Sequence, residues 1–178
     1  MSKSLLPVVL LLMFIDSSGR CQDQLRAVTL QGDTVRLIPK GRDPLLIILT
    51  SPGSCHGCLE EIGEVVERTG SHGRVVLLIR SGDDQENKRE LYNQWHRTFS
   101  DSVTYLFDIQ VGMDQYSTTE PLDGIFGKFH ARNTPSILVL SGDTQHYYPY
   151  ITLFTSNGLT IEGLRTITEA LSGPSPKK

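Results

Sequence analysis

The residues of this chain with the clearest chemical character are Cys55 and Cys58, separated by His56-Gly57. A thiolate is a nucleophile toward sulfur and a ligand for soft metals. Two thiols this close can make and break a bond with each other. A purely structural disulfide over so short a loop would remove little chain entropy and stabilise poorly. The spacing therefore favours redox chemistry over a structural bond. A structural zinc site needs four ligands, and Cys21 with the scattered His72, His96, His130 and His146 provides no second paired motif. Haem attachment would require His after the second Cys, where Leu59 stands. No metal or other cofactor is expected.

The elements around the pair decide what the thiols can do. Leu45–Leu49 follows Pro44 as a continuous apolar run, the pattern of a strand buried on both faces. After Cys58 the period changes: Leu59, Ile62, Val65 and Val66 recur at helical spacing, and Ser54 is placed to cap that helix. Glu60, Glu61, Glu64 and Glu67 fall on the solvated side. The cysteines thus sit at a strand-to-helix junction. There the unpaired N–H groups and the helix dipole stabilise an anion, which activates Cys55 as a thiolate. Cys58, one turn on, shares its face and can attack a mixed disulfide formed at Cys55. His56 adds positive charge beside the thiolate when protonated, although an exposed loop histidine without a role is the plainer alternative. Gly57 removes bulk between the two sulfurs.

Around this junction the chain predicts further elements. Leu25–Leu37 forms a strand pair about Gly32-Asp33, and Val75–Ile79 is a second buried strand. Asp83 and Asp84 begin a helix carrying Leu91, Trp95 and Phe99 on its core stripe. Val103–Phe107 is a strand, and Ile125, Phe126 and Phe129 mark a short helix. Ile137–Leu140 is a strand turned by Ser141-Gly142-Asp143, with Ile151–Phe154 expected to pair with it. Thr160 caps a last helix with Ile161, Leu164, Ile167 and Leu171 inward, and residues 173–178 form a tail. The order β-β-β-α-β-α-β-α-β-β-α specifies one α/β domain over residues 22–172, with a mixed central sheet and helices on both faces.

Residues 1–21 stand apart. Lys3, the apolar run Leu5–Ile15 and the small residues Ser17, Ser18 and Gly19 have the layout of a secretory signal peptide. The run is shorter than the roughly 20 residues a membrane span needs. A buried N-terminal helix is the alternative, which Pro7 and Asp16 fit poorly. Cleavage after Gly19 leaves Cys21 in the mature chain; cleavage after Cys21 leaves Gln22 first. The expected location is exported, periplasmic or extracellular. Membrane attachment is expected only if the signal is uncleaved or Cys21 carries lipid, which Arg20 before it argues against. The 178 residues carry a formal charge of −3 with no long Lys or Arg run, so no nucleic-acid surface is expected.

The strand Leu45–Leu49, the Cys55-His56-Gly57-Cys58 motif opening a helix, and Thr134-Pro135 before a later strand together resemble the thioredoxin superfamily. The similarity is greatest to its exported branch, the cytochrome-c-maturation and TlpA-like thioredoxins, over roughly Leu25 to Leu171. The resemblance implies a thioredoxin-like fold and thiol–disulfide exchange with protein substrates, recharged by an upstream redox partner. A reductant is the expected direction, with an oxidant as the alternative, because His56-Gly57 stands where the family commonly has Gly-Pro and this dipeptide tunes the potential. It implies that Cys55 is the nucleophile and Cys58 the resolving thiol of a redox disulfide. It also implies that Pro135 is a cis-proline facing that disulfide and that Thr134 binds substrate backbone, with His56 as a further contact. Family members usually carry Trp where Ser54 stands. They carry a buried Asp where this chain has apolar Ile48-Leu49, which leaves Glu61 or a water as candidate base for Cys58. The stretch Gln110–Asp123 is longer than the usual connection. Two alternatives remain on the same scaffold. One is a binding module such as a copper chaperone, using both cysteines and a distant His such as His130. The other is a peroxiredoxin-like peroxidase, whose usual Pro and Thr placement Thr50–Cys55 does not reproduce.

Overall fold

The computed structural model describes residues 25–39, 43–70, 74–99, 101, 103–109 and 124–172. The signal-peptide stretch with Cys21, His72, the segment Gln110–Asp123 and the tail 173–178 lie outside the described residues.

The core element is β3 (Leu45–Thr50), whose burial follows from its composition. Successive side chains of a strand point to opposite faces. Leu46 and Ile48 pack on one side and Ile47 and Leu49 on the other, all four fully buried. A strand apolar on both faces must lie inside a sheet covered twice. It is flanked by β4 (Val75–Ser81), parallel to it, and by β6 (Ser136–Ser141), antiparallel. The full sheet adds β1 (Arg26–Val28), β2 (Thr34–Arg36), β5 (Thr104–Ile109) and β7 (Thr144–Tyr148) in the order β2-β1-β5-β4-β3-β6-β7.

Helices cover both faces, as expected. α1 (His56–Thr69), α2 (Gln85–Phe99) and α5 (Ile161–Ser172) send Leu59, Ile62, Val66, Trp95, Phe99, Ile167 and Leu171 into one layer. The short α3 (Gly124–Lys128) sends Ile125 and Phe126 into the other. α1 closes at Gly70, whose φ of 62° is the left-handed conformation glycine adopts without penalty. Asp84 caps α2 through its carboxylate, which accepts from Asn87 N–H at 2.7 Å.

Three local expectations need correction. Ile151–Phe154 is not the strand beside β6. β7 holds that position with Ile137 opposite Tyr148. Pro149, which lacks an N–H, then ends the ladder, and the chain forms a one-turn helix α4 (Tyr150–Leu153) and a two-residue pair β8 (Phe154–Thr155) and β9 (Gly158–Leu159). Thr160 does cap α5, accepting from Gly163 N–H at 2.9 Å. Yet Ile161 is 89% exposed and Leu164 is 44% exposed. Gly163 packs against the Leu153 backbone, and that close approach turns a stripe of Gly163, Thr166, Ile167, Ala170 and Leu171 inward. Finally, Ser54 does not cap α1; Cys55 does.

Candidate active site

The site forms where β3 ends and α1 begins. Cys55 is the N-cap of α1, and its Sγ accepts a hydrogen bond from Cys58 N–H at 3.3 Å. The two cysteines form a disulfide with Cα atoms 5.3 Å apart. Their environments differ: Cys55 is exposed, whereas Cys58 is 6% exposed and belongs to the layer beneath α1. Only one sulfur therefore faces a large reaction partner. It lies at the end of the helix that stabilises negative charge.

The antiparallel register of β3 and β6, with Leu49 opposite Ser136, brings the residues just before β6 to the end of β3. Thr134 and Pro135 arrive there, joined by a cis peptide bond. Pro135 is buried and Thr134 half-buried. Thr134 Oγ1 accepts from Ser54 Oγ at 2.7 Å and lies 2.8 Å from Ser51 Oγ. Ser54 Oγ in turn accepts from Ser51 N–H at 2.8 Å and from Thr50 Oγ1 at 2.9 Å. Ser54 does not cap α1 because its hydroxyl binds Thr134 and the β3 end, which leaves the first turn of α1 to the Cys55 sulfur.

An open cleft of about 610 Å³ runs past Cys55, walled by Ser51, Arg80, Arg132, Thr134 and Tyr150. Thr134 and Cys55 thus face the same space. His56 does not line it. Its ring stacks on Trp95 with centroids 5.6 Å apart, and its Nε2 lies 3.3 Å from Glu60 Oε1. It borders a separate depression with Glu90, Asn93 and Arg97 of α2. Glu61 is also engaged elsewhere: its carboxylate accepts from Leu159 N–H at 2.6 Å, tying α1 to β9.

Tyr150 joins the site without any mark in the sequence. Its hydroxyl lies 3.7 Å from Cys58 Sγ, and its ring stacks on Phe154 at 5.2 Å. Nothing local marks it, since it is one of three tyrosines between Tyr147 and Tyr150 with no spacing relation to the cysteines. Arg80, 4% exposed near the end of β4, was equally silent because it continues an apolar strand.

The fold that carries this site is thioredoxin-like. No family model matches the sequence, and no curated protein matches it. Solved structures do. DsbF of MTB superposes with a TM-score of 0.53 at 17% identity, covering 85% of this chain and 95% of that one. A secreted Mycobacterium tuberculosis disulfide oxidoreductase, homologous to E. coli DsbE, gives 0.53 at 13% identity over 86% and 98%. A thioredoxin-like protein from Aeropyrum pernix gives 0.53 at 10% identity over 83% and 89%.

Proposed function

We propose that this protein is an exported thiol–disulfide oxidoreductase acting on protein substrates through Cys55 and Cys58. The observation that carries this is the asymmetry of the pair: an exposed Cys55 sulfur at a helix N-terminus in a cleft with Thr134, backed by a buried Cys58. In the reduced protein the Cys55 thiolate attacks a substrate disulfide and one substrate sulfur leaves. Cys58 then attacks Cys55 Sγ, releasing the second substrate sulfur as the internal disulfide closes. Thr134 borders the cleft two residues before β6 begins, a position from which main-chain groups can pair with an extended substrate. Two of the similar structures are named as disulfide oxidoreductase or Dsb proteins, which supports the same chemistry.

The direction is reducing. A dithiol oxidises others when its reduced form is strongly stabilised. Here the His56 imidazole is turned to Trp95 and Glu60 and does not line the Cys55 cleft, so it adds no stabilisation to the reduced form. An upstream redox partner must then restore the dithiol. Export is supported by the Lys3 and Leu5–Ile15 pattern, and one similar structure is named as secreted. Among the described residues no helix is long and apolar enough to cross a membrane.

Equilibration with a reference dithiol tests this reading. A potential near that of thioredoxin, about −270 mV, fits a reductant. One near about −120 mV would mark a disulfide donor and reverse the assignment. Failure to reduce insulin-type disulfides would remove the enzymatic reading itself.

A further inference from the structure

We propose that the Tyr150 hydroxyl is the hydrogen-bond donor that makes Cys58 reactive. The assignment rests on the exchange reading above and concerns its second step. In that step Cys58 gives its proton to solvent and its sulfur attacks Cys55 Sγ. The Cys58–Cys55 bond forms, the bond from Cys55 to the substrate breaks, and its electron pair leaves on the substrate sulfur. The internal dithiol is oxidised and the substrate disulfide is reduced. Burial opposes the charge that Cys58 must carry on the way, because a thiolate removed from water is destabilised unless a donor meets it.

Among the described residues, Tyr150 is placed to be that donor. Its hydroxyl lies 3.7 Å from Cys58 Sγ, within reach of a hydrogen bond to sulfur. The strand beneath is apolar at Ile48 and Leu49, both fully buried. Among the charged groups nearby, Glu61 is bound to Leu159 N–H and Glu60 to His56. Arg80 and Arg132 stand on the wall of the Cys55 cleft. Tyr150 is half-buried and borders that cleft too, so the residue lies between the buried sulfur and the open cleft. The hydroxyl is held in place. Pro149 is the N-cap that starts α4 at Tyr150, and the ring stacks on Phe154 with planes 22° apart.

Tyr150→Phe keeps the ring and its stacking and removes only the hydroxyl. Reduced protein is mixed with a symmetric nitrothiobenzoate disulfide, which releases a coloured thiolate at each step. The first release, from attack by Cys55, depends on reagent concentration. The second, from attack by Cys58, does not. We expect the second phase to slow about tenfold in Tyr150→Phe, the scale of one hydrogen bond to a charged group, with the first phase within twofold of wild type. A second phase at the wild-type rate overturns the assignment. Equal slowing of both phases also overturns it, because the residue would then act only through the fold. A wild-type protein showing no second phase would overturn both this assignment and the exchange reading, whereas a normal wild-type second phase isolates the test to Tyr150.

Discussion

Thr134 Oγ1 lies 2.7 Å from Ser54 Oγ, so the residue before the cis-proline is bonded to the residue before the reactive cysteine. The bond crosses 80 positions of sequence and fixes the two walls of the cleft against each other.

Thr134→Val keeps the shape of the side chain and removes its hydroxyl. Ser54 and Ser51 then lose a partner in a half-buried site, a loss of about 1–3 kcal/mol. Urea denaturation of the oxidised protein is expected to show that drop, with insulin reduction slowed. Thr134→Ser should restore most of both. If Val and Ser variants behave alike, the hydroxyl is not what joins the walls.

Cys58→Ser is expected to accumulate mixed disulfides at Cys55, since the exposed sulfur still attacks and nothing resolves the product. Non-reducing gels followed by mass spectrometry identify the linked residue. Trapping by Cys55→Ser instead would reverse the two roles.

Glu61 separates two roles by its substitutions. Glu61→Ala removes the acceptor for Leu159 N–H and should lower stability by about 1–3 kcal/mol. Glu61→Gln retains an acceptor oxygen and is expected to keep both stability and the rate of the intramolecular step. A Gln variant that is stable but resolves mixed disulfides tenfold more slowly would make Glu61 the base for Cys58.

Tyr105 predicts alkaline behaviour. Burial pushes its phenol pKa above the ordinary 10, and neighbouring Tyr92 and Asp101 push it further. The unfolded chain ionises near the ordinary value, so above pH of about 10 it has lost a proton that the native state retains. Stability is therefore complete below that pH and falls as pH rises toward the native pKa. Comparing urea midpoints at about pH 8 and pH 11 should show a smaller loss for Tyr105→Phe than for wild type. An equal loss would place the alkaline effect elsewhere.

Short-range periodicity carries the part of the fold that is legible without coordinates. The double-sided apolar run Leu45–Leu49 specified a central strand, and Leu59, Ile62, Val65 and Val66 specified the helix after it. Together they placed Cys55 at a helix start, and the resemblance carried by Thr134-Pro135 anticipated the cis bond. The remainder depends on packing, because the contacts that settle it join residues far apart in the chain. The hydroxyl of Ser54 had two available partners, its own helix and Thr134, and the β3–β6 register selected the second. Ile151–Phe154 has the composition of a strand, but β7 already fills the edge beside β6 and Pro149 ends the ladder, so those residues turn back over the site. That turn carries Tyr150 to the Cys58 sulfur. Ile161 and Leu164 follow helical spacing, yet the close approach of Gly163 to Leu153 rotates them outward. Local pattern states which residues want burial or a cap; only the packed sheet determines which neighbour meets that need.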